Sequence, residues 1–260
     1  MTHPHLRTER LLAAACLALL LLALLGPAFT QPAGHHHFAD QRIAWGIPCA
    51  ADVLSNLPFA LFGLLGLVRL SLAAALQPMQ RACAVLFFAG LVATAAGSAW
   101  YHWQPDDTGL AVDRLGMSVA FAGLLALAAA DRVSARAGAV LAGAVLWLGP
   151  ASVLAWSATG NVLPWCVLQF GGMALMLWLA VQRPMAGASG FSLVAVIAVY
   201  ALAKALELAD HAVWDLTGQL VSGHTLKHLV ASLAALPVLV VLGRRARPGQ
   251  NAAAPRARTT

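Results

Sequence analysis

Charge is scarce in this sequence. Only 10% of its 260 residues are Asp, Glu, Lys or Arg, whereas a soluble domain carries about 25%. That scarcity, with 60% hydrophobic residues and a mean hydropathy of +0.77, excludes an ordinary water-soluble globule. Cysteine is scarce as well: there are 4, at Cys16, Cys49, Cys83 and Cys166. Cys16 and Cys83 fall inside predicted helices and no paired spacing exists, so neither a disulfide framework nor a cysteine zinc site is supported. No sequence repeat is evident, and no soluble domain fits between the apolar segments.

Long apolar runs dominate instead. Eight of them lie at roughly 11–29, 52–70, 81–102, 109–130, 137–156, 163–182, 190–210 and 222–243, lengths that suit helices crossing a bilayer with about 17–25 residues each. The expected fold is all-α, a polytopic membrane protein. Residues 1–30 read as a signal anchor or extra transmembrane helix, because the apolar run after Arg7 and Arg10 exceeds the about 7–15-residue core of a cleaved signal; cleavage is the other reading. Residues 31–51 form an outer loop punctuated by Pro32, Gly34, Gly46 and Pro48. Residues 52–243 hold the remaining seven apolar segments, and 244–260 form a disordered, basic cytoplasmic tail. Gly63-x2-Gly66 and Gly171-Gly172 allow close helix contacts within or between chains, which leaves the oligomeric state open.

Orientation follows from the arginines. With the N-terminus inside, the cytoplasmic side receives Arg7, Arg10, Arg69, Arg81, Arg132, Arg136, Arg183 and the arginines after Gly243, while the outer loops receive only Arg42. This is the positive-inside pattern. The net charge of +6 is thus topological and needs no nucleic-acid partner. The expected location is a bacterial-type plasma membrane with both termini in the cytoplasm.

Against this apolar background a few polar residues stand out. Ser98 and His102 close the segment 81–102, Asp113 opens the next, and His224 and His228 open the last. The topology puts all five in the outer leaflet, although they come from three segments. Ionisable groups at membrane depth are costly unless they pair, bind metal or line a wet cavity. Residues four apart share a helix face, about 6 Å apart along the axis, so His224 and His228 can offer two ring nitrogens to one ion and His102 a third. Three protein ligands with an open position is the catalytic zinc pattern. Ser98 could then donate to a substrate carbonyl, and Asp113 could orient water and take its proton. Polar residues also glue helices together, and a His pair at this spacing could hold haem or simply face water.

Two further groups are polar. Lys204, Glu207 and Asp210 recur every three residues on one face, as a buried ion-pair chain with Lys227 or Arg114, or as a second layer orienting a ligand histidine. The His35–His37 run reads as part of a solvated loop, with adventitious metal binding as the other reading.

The pattern Ser98-Ala-Trp-Tyr-His102, then Asp113 in Val-Asp-Arg-Leu, then His224-Thr-Leu-Lys-His228 resembles the CREST superfamily of seven-helix membrane hydrolases. That group includes alkaline ceramidases and the adiponectin and progestin receptor family. Asp52-Val-Leu-Ser55-Asn56-Leu-Pro is similar to the Ser-Asn motif in the first core helix of the ceramidase branch. The resemblance covers about residues 52–243. It implies a seven-transmembrane-helix bundle with one extra N-terminal hydrophobic helix. It also implies Zn2+ held by His102, His224 and His228, with Ser98 and Asp113 as catalytic residues. The implied reaction is hydrolysis of a membrane lipid amide, ceramide to sphingoid base and fatty acid, with the active site toward the outer face. The acidic calcium segment of animal alkaline ceramidases is not matched: residues 35–42 carry one acid, and Asp52 stands where that branch usually has Asn. Ca2+ is therefore doubtful here. A receptor-like or lipid-binding protein on the same scaffold without turnover, and a haem- or quinone-binding electron carrier, are the alternatives.

Overall fold

The structure, a computed structural model, describes residues 4–72 and 76–243; the tail expected over 244–260 lies outside the described residues. It is an all-α polytopic bundle, with two isolated bridges and no strand among the described residues. The helices are α1 (Pro4–Leu25), α2 (Ala50–Leu54), α3 (Leu57–Leu72), α4 (Pro78–Trp103), α5 (Asp107–Arg132) and α6 (Ala135–Thr159). They continue with α7 (Leu163–Cys166), α8 (Gly172–Ala180), α9 (Leu193–Leu208), α10 (Asp210–Leu216), α11 (Gly223–Ser232) and α12 (Leu236–Leu242). Among the described residues, seven helical stretches are long and apolar enough to cross a membrane. The protein is an integral membrane protein.

Three of these stretches are interrupted, each for a local reason. The segment expected at 52–70 divides into α2 and α3 at Ser55 and Asn56, whose side chains both donate to Asp52 O at 2.9 Å, just before Pro58. Pro58 has no N–H to donate to the Leu54 carbonyl, so the helical ladder is interrupted there. The segment expected at 163–182 holds a π turn over Val167–Gly171 between α7 and α8. In the last segment a 3-10 turn over Leu233–Ala235 separates α11 from α12. Pro237 has no N–H and its ring clashes with the carbonyl four residues earlier, at Leu233.

Segment 190–210 is shorter than expected. α9 has 16 residues, about 24 Å of helix, and the chain turns at Ala209 to begin α10. Asp210 is recruited elsewhere: its carboxylate accepts from His224 N at 2.7 Å and Ala39 N at 2.9 Å. α1 is peripheral, with 6% of its apolar window buried against 61% in α5. It ends where Gly26 precedes Pro27, and Leu19 packs on Gly171 of the π turn.

α4 and α5 form the centre, antiparallel and in close contact. A Cβ at Gly97 would lie 2.8 Å from Val112 O, and one at Gly116 2.8 Å from Ala93 O. Gly90 meets the backbone of Ala120, and Gly123 that of Phe87, more closely still. Small residues let membrane helices approach until their backbones touch. Gly63 and Gly66 of α3 serve the same end against Val92 and Phe88 of α4, so that motif is used within the chain. The register lays the C-terminal turn of α4 beside the first turns of α5. Gly123→Val is expected to force these helices apart and cost about 1–3 kcal/mol as overpacking, lowering the thermal midpoint in detergent. Gly143→Val, where an added Cβ meets nothing within 4 Å, should leave that midpoint unchanged.

Candidate metal centre

His102 sits in the last turn of α4, and His224 and His228 in the first two turns of α11. All three are buried. Each offers a ring nitrogen, and these atoms lie within 4.8 Å of one another. His102 Nε2 and His224 Nε2 are 3.2 Å apart. The three ring centroids form a near-regular triangle with sides of 4.7, 4.9 and 5.0 Å.

A metal fits this arrangement. Zn–N bonds of about 2.0–2.1 Å at a tetrahedral angle put ligand nitrogens about 3.3 Å apart, close to the separation of His102 Nε2 and His224 Nε2. The tautomer of His228 agrees. Ser55 Oγ donates to Asp52 O at 2.9 Å, so at 2.8 Å from His228 Nδ1 the hydroxyl oxygen accepts that ring's proton. His228 Nε2 is left with its lone pair free. A metal-binding histidine ordinarily has its other nitrogen held in this way.

Local sequence explains why α11 presents its histidines here. Ser222 caps the helix, accepting from Thr225 N at 2.9 Å. Thr225 Oγ1 donates to buried Asp52 at 2.6 Å, which ties α11 to α2. Gly223 has Asp210 Cα at 2.8 Å from where its Cβ would be, with Leu206 O nearer, so only glycine lets the chain pass. Asp210 then holds the backbone of His224 with one oxygen and that of Ala39 in the outer loop with the other. From the same loop the Phe38 ring roofs the centre, 4.5 Å from His102 and 4.6 Å from His224 between centroids.

Ser98 and Asp113 are both buried as well. Asp113 Oδ1 has no hydrogen-bond partner among the described residues. Ser98, Asp113 and His228 line a cavity of about 180 Å³. Its remaining wall is mostly apolar, including Phe59, Phe87, Leu91, Met117 and Phe121. Lys204, Glu207 and Lys227 also line it. Glu207 bridges the two lysines, with Lys227 Nζ at 2.8 Å and Lys204 as the second partner. The chain of charges thus runs through Lys227, while Arg114 bonds Gln31 at 2.7 Å and stacks 4.2 Å over Trp156.

No family model and no curated protein matches this chain. The site is therefore read from its own geometry. The structure brings all five residues singled out by membrane depth to one end of the bundle. Sequence reasoning missed the work of Ser55 and Phe38, while Asp210, read there as one of a row that could pair with neighbouring charges or orient a ligand histidine, accepts from the His224 backbone. Ser55 had a signal, a polar pair ahead of Pro58 inside an apolar run, and Phe38 had none. If the three rings hold zinc, Ser55→Ala is expected to free the His228 ring and weaken that binding about 10–100-fold, measured by competition with a chelating dye, with the thermal midpoint of the metal-free protein little changed.

Proposed function

We propose that the protein is an intramembrane zinc-dependent hydrolase of a lipid amide, ceramide-like in form. The observation that carries this reading is a cluster of three histidine ring nitrogens, one of which belongs to His228, a residue that lines an apolar cavity together with Ser98 and Asp113. The CREST-like motif residues are the ones that converge, which supports the same reading.

His102, His224 and His228 would hold the ion. When bound, zinc supplies Lewis acidity, polarising a carbonyl and making water a better nucleophile near neutral pH. The chain supplies the rest. The apolar wall takes an alkyl chain, as ligand pockets lined by hydrophobic and aromatic side chains do. Asp113 Oδ1, unpaired and within the cavity wall, accepts a proton from the attacking water and can return it to the leaving amine. The Ser98 hydroxyl, in the same cavity wall, can donate to the substrate carbonyl oxygen. Phe38 covers His102 and His224 and limits the water that reaches them.

The arginines support an outward-facing site. Arg69 ends α3, Arg81 starts α4, Arg132 ends α5 and Arg136 starts α6, all at the end of the bundle away from the histidines. By the positive-inside rule that end is cytoplasmic. A haem carrier is disfavoured by the triangle itself, since His224 stands within 5.0 Å of both other rings where a planar macrocycle would have to pass.

The test is elemental analysis of detergent-purified protein beside hydrolysis of lipid amides. His224→Ala should lose zinc and turnover together. Asp113→Asn should keep its zinc and lose about 10²–10⁴-fold in rate as a general base. Full activity in Asp113→Asn would remove the base role, and a folded wild type that takes up no zinc would overturn the hydrolase reading.

A further inference from the structure

The outer loop carries a second cluster. His35, His36 and Asp107 also bring potential ligand atoms within 4.8 Å of one another. Sequence reasoning treats the His35–His37 run as a solvated stretch, but in the fold it turns back onto the start of α5. The turn is built by His35 N donating to Pro32 O at 3.2 Å and His37 N to Gly34 O at 2.9 Å. His35 and His36 are largely covered, with side chains 20% and 23% exposed, whereas Asp107 is 74% exposed.

The proton positions matter. His35 Nδ1 lies 2.8 Å from Pro32 O. A carbonyl oxygen only accepts, so Nδ1 carries the hydrogen and a neutral ring leaves Nε2 as a bare lone pair. That atom is buried, makes no hydrogen bond among the described residues, and faces Asp107 Oδ1 at 3.4 Å. Two acceptors pointed at each other repel unless a cation lies between them. His36 Nε2 hydrogen-bonds the same oxygen at 3.2 Å through a proton whose place an ion would take, and its Nδ1 is held by the Tyr101 hydroxyl at 2.9 Å. The two imidazole centroids are only 3.8 Å apart, so protonating both rings would set two positive charges side by side. One divalent ion satisfies both rings and the carboxylate together.

We propose that His35, His36 and Asp107 form a second metal site, for Zn2+ or a similar divalent transition ion. The spacings of 3.2 and 3.4 Å match the about 3.3 Å between ligands in a tetrahedral site with bonds near 2.0–2.1 Å. Two imidazoles exclude calcium and magnesium as natural occupants, since both take oxygen ligands. The exposed side of Asp107 leaves the remaining position to solvent.

The site ties three elements together. Asp107 belongs to the first turn of α5, Tyr101 precedes His102 on α4, and the loop runs on through His37 to Phe38, which touches His102 and His224. An ion here clamps the roof of the three-histidine centre to the α4–α5 corner. The proposal stands whether or not that centre catalyses hydrolysis.

The experiment counts zinc on the full chain, purified in detergent through a tag without histidine and dialysed to equilibrium against micromolar free Zn2+. Wild type is expected to hold two ions, and both His35→Ala/His36→Ala and Asp107→Ala one. These changes lie in the outer loop and at an exposed helix start, so the fold should survive, as checked by the thermal midpoint of the metal-free protein. The same count in wild type and His35→Ala/His36→Ala overturns the proposal and leaves a proton between His35 and Asp107. His224→Ala separates the two centres: it should keep the loop ion, and if the three-histidine reading fails, it should hold as many ions as wild type.

Discussion

Where α4 and α5 meet, glycine at positions 90, 97, 116 and 123 lets two backbones approach to a distance that no side chain could occupy. In a bilayer the gain from hiding apolar surface from water is already spent, so helix association depends on close packing and on polar contacts. Here the close packing also sets the chemistry. Gly97 abuts Val112 and Asp113, and this contact places Ser98 and His102 opposite Asp113. A bulkier residue anywhere along the seam would shift one half of the site relative to the other.

The second constraint is that buried polar groups must be paired. Asp52, Ser55, Asp210, Ser222 and Thr225 are all buried, and together they settle the start of α11. Asp52 takes the Thr225 hydroxyl, Ser55 takes the His228 proton, and Asp210 joins the backbone of His224 to that of Ala39. Each bond answers the polarity of one group with that of another, and together they aim both histidines inward. The outer loop belongs to the same network. Its Arg42 pairs with buried Asp40, reaches Leu220 O at 3.0 Å and lies 4.6 Å over Trp214. A loop that would otherwise be a solvated connection becomes a lid built into the centre.

At the other end of the bundle Asp131 does comparable work, accepting from Gln80 Nε2 at 3.0 Å and from Ser189 Oγ at 2.5 Å. There, however, no histidines gather among the described residues, and Asp131 lines neither the cavity that opens at that end between α1 and α6 nor the one beside His228. The contrast separates polar residues that hold helices together from those that also line a space a substrate could enter.

Membrane residence, the approximate bounds of the apolar helices and the shared depth of Ser98, His102, Asp113, His224 and His228 were all determined by the sequence alone. Each depends on properties that act along the chain: hydropathy over about 20 residues, arginine placement and a four-residue spacing that keeps two histidines on one face. The tertiary structure decided the rest. That α9 stops short because Asp210 is needed by His224, that Ser55 sets the His228 tautomer, and that His35 and His36 fold onto Asp107 are matters of contact between residues far apart in sequence. Linear periodicity reports which face a residue occupies, but not what stands across from it. Partners of a buried polar group are chosen by packing in three dimensions, and so appear only once the helices have met.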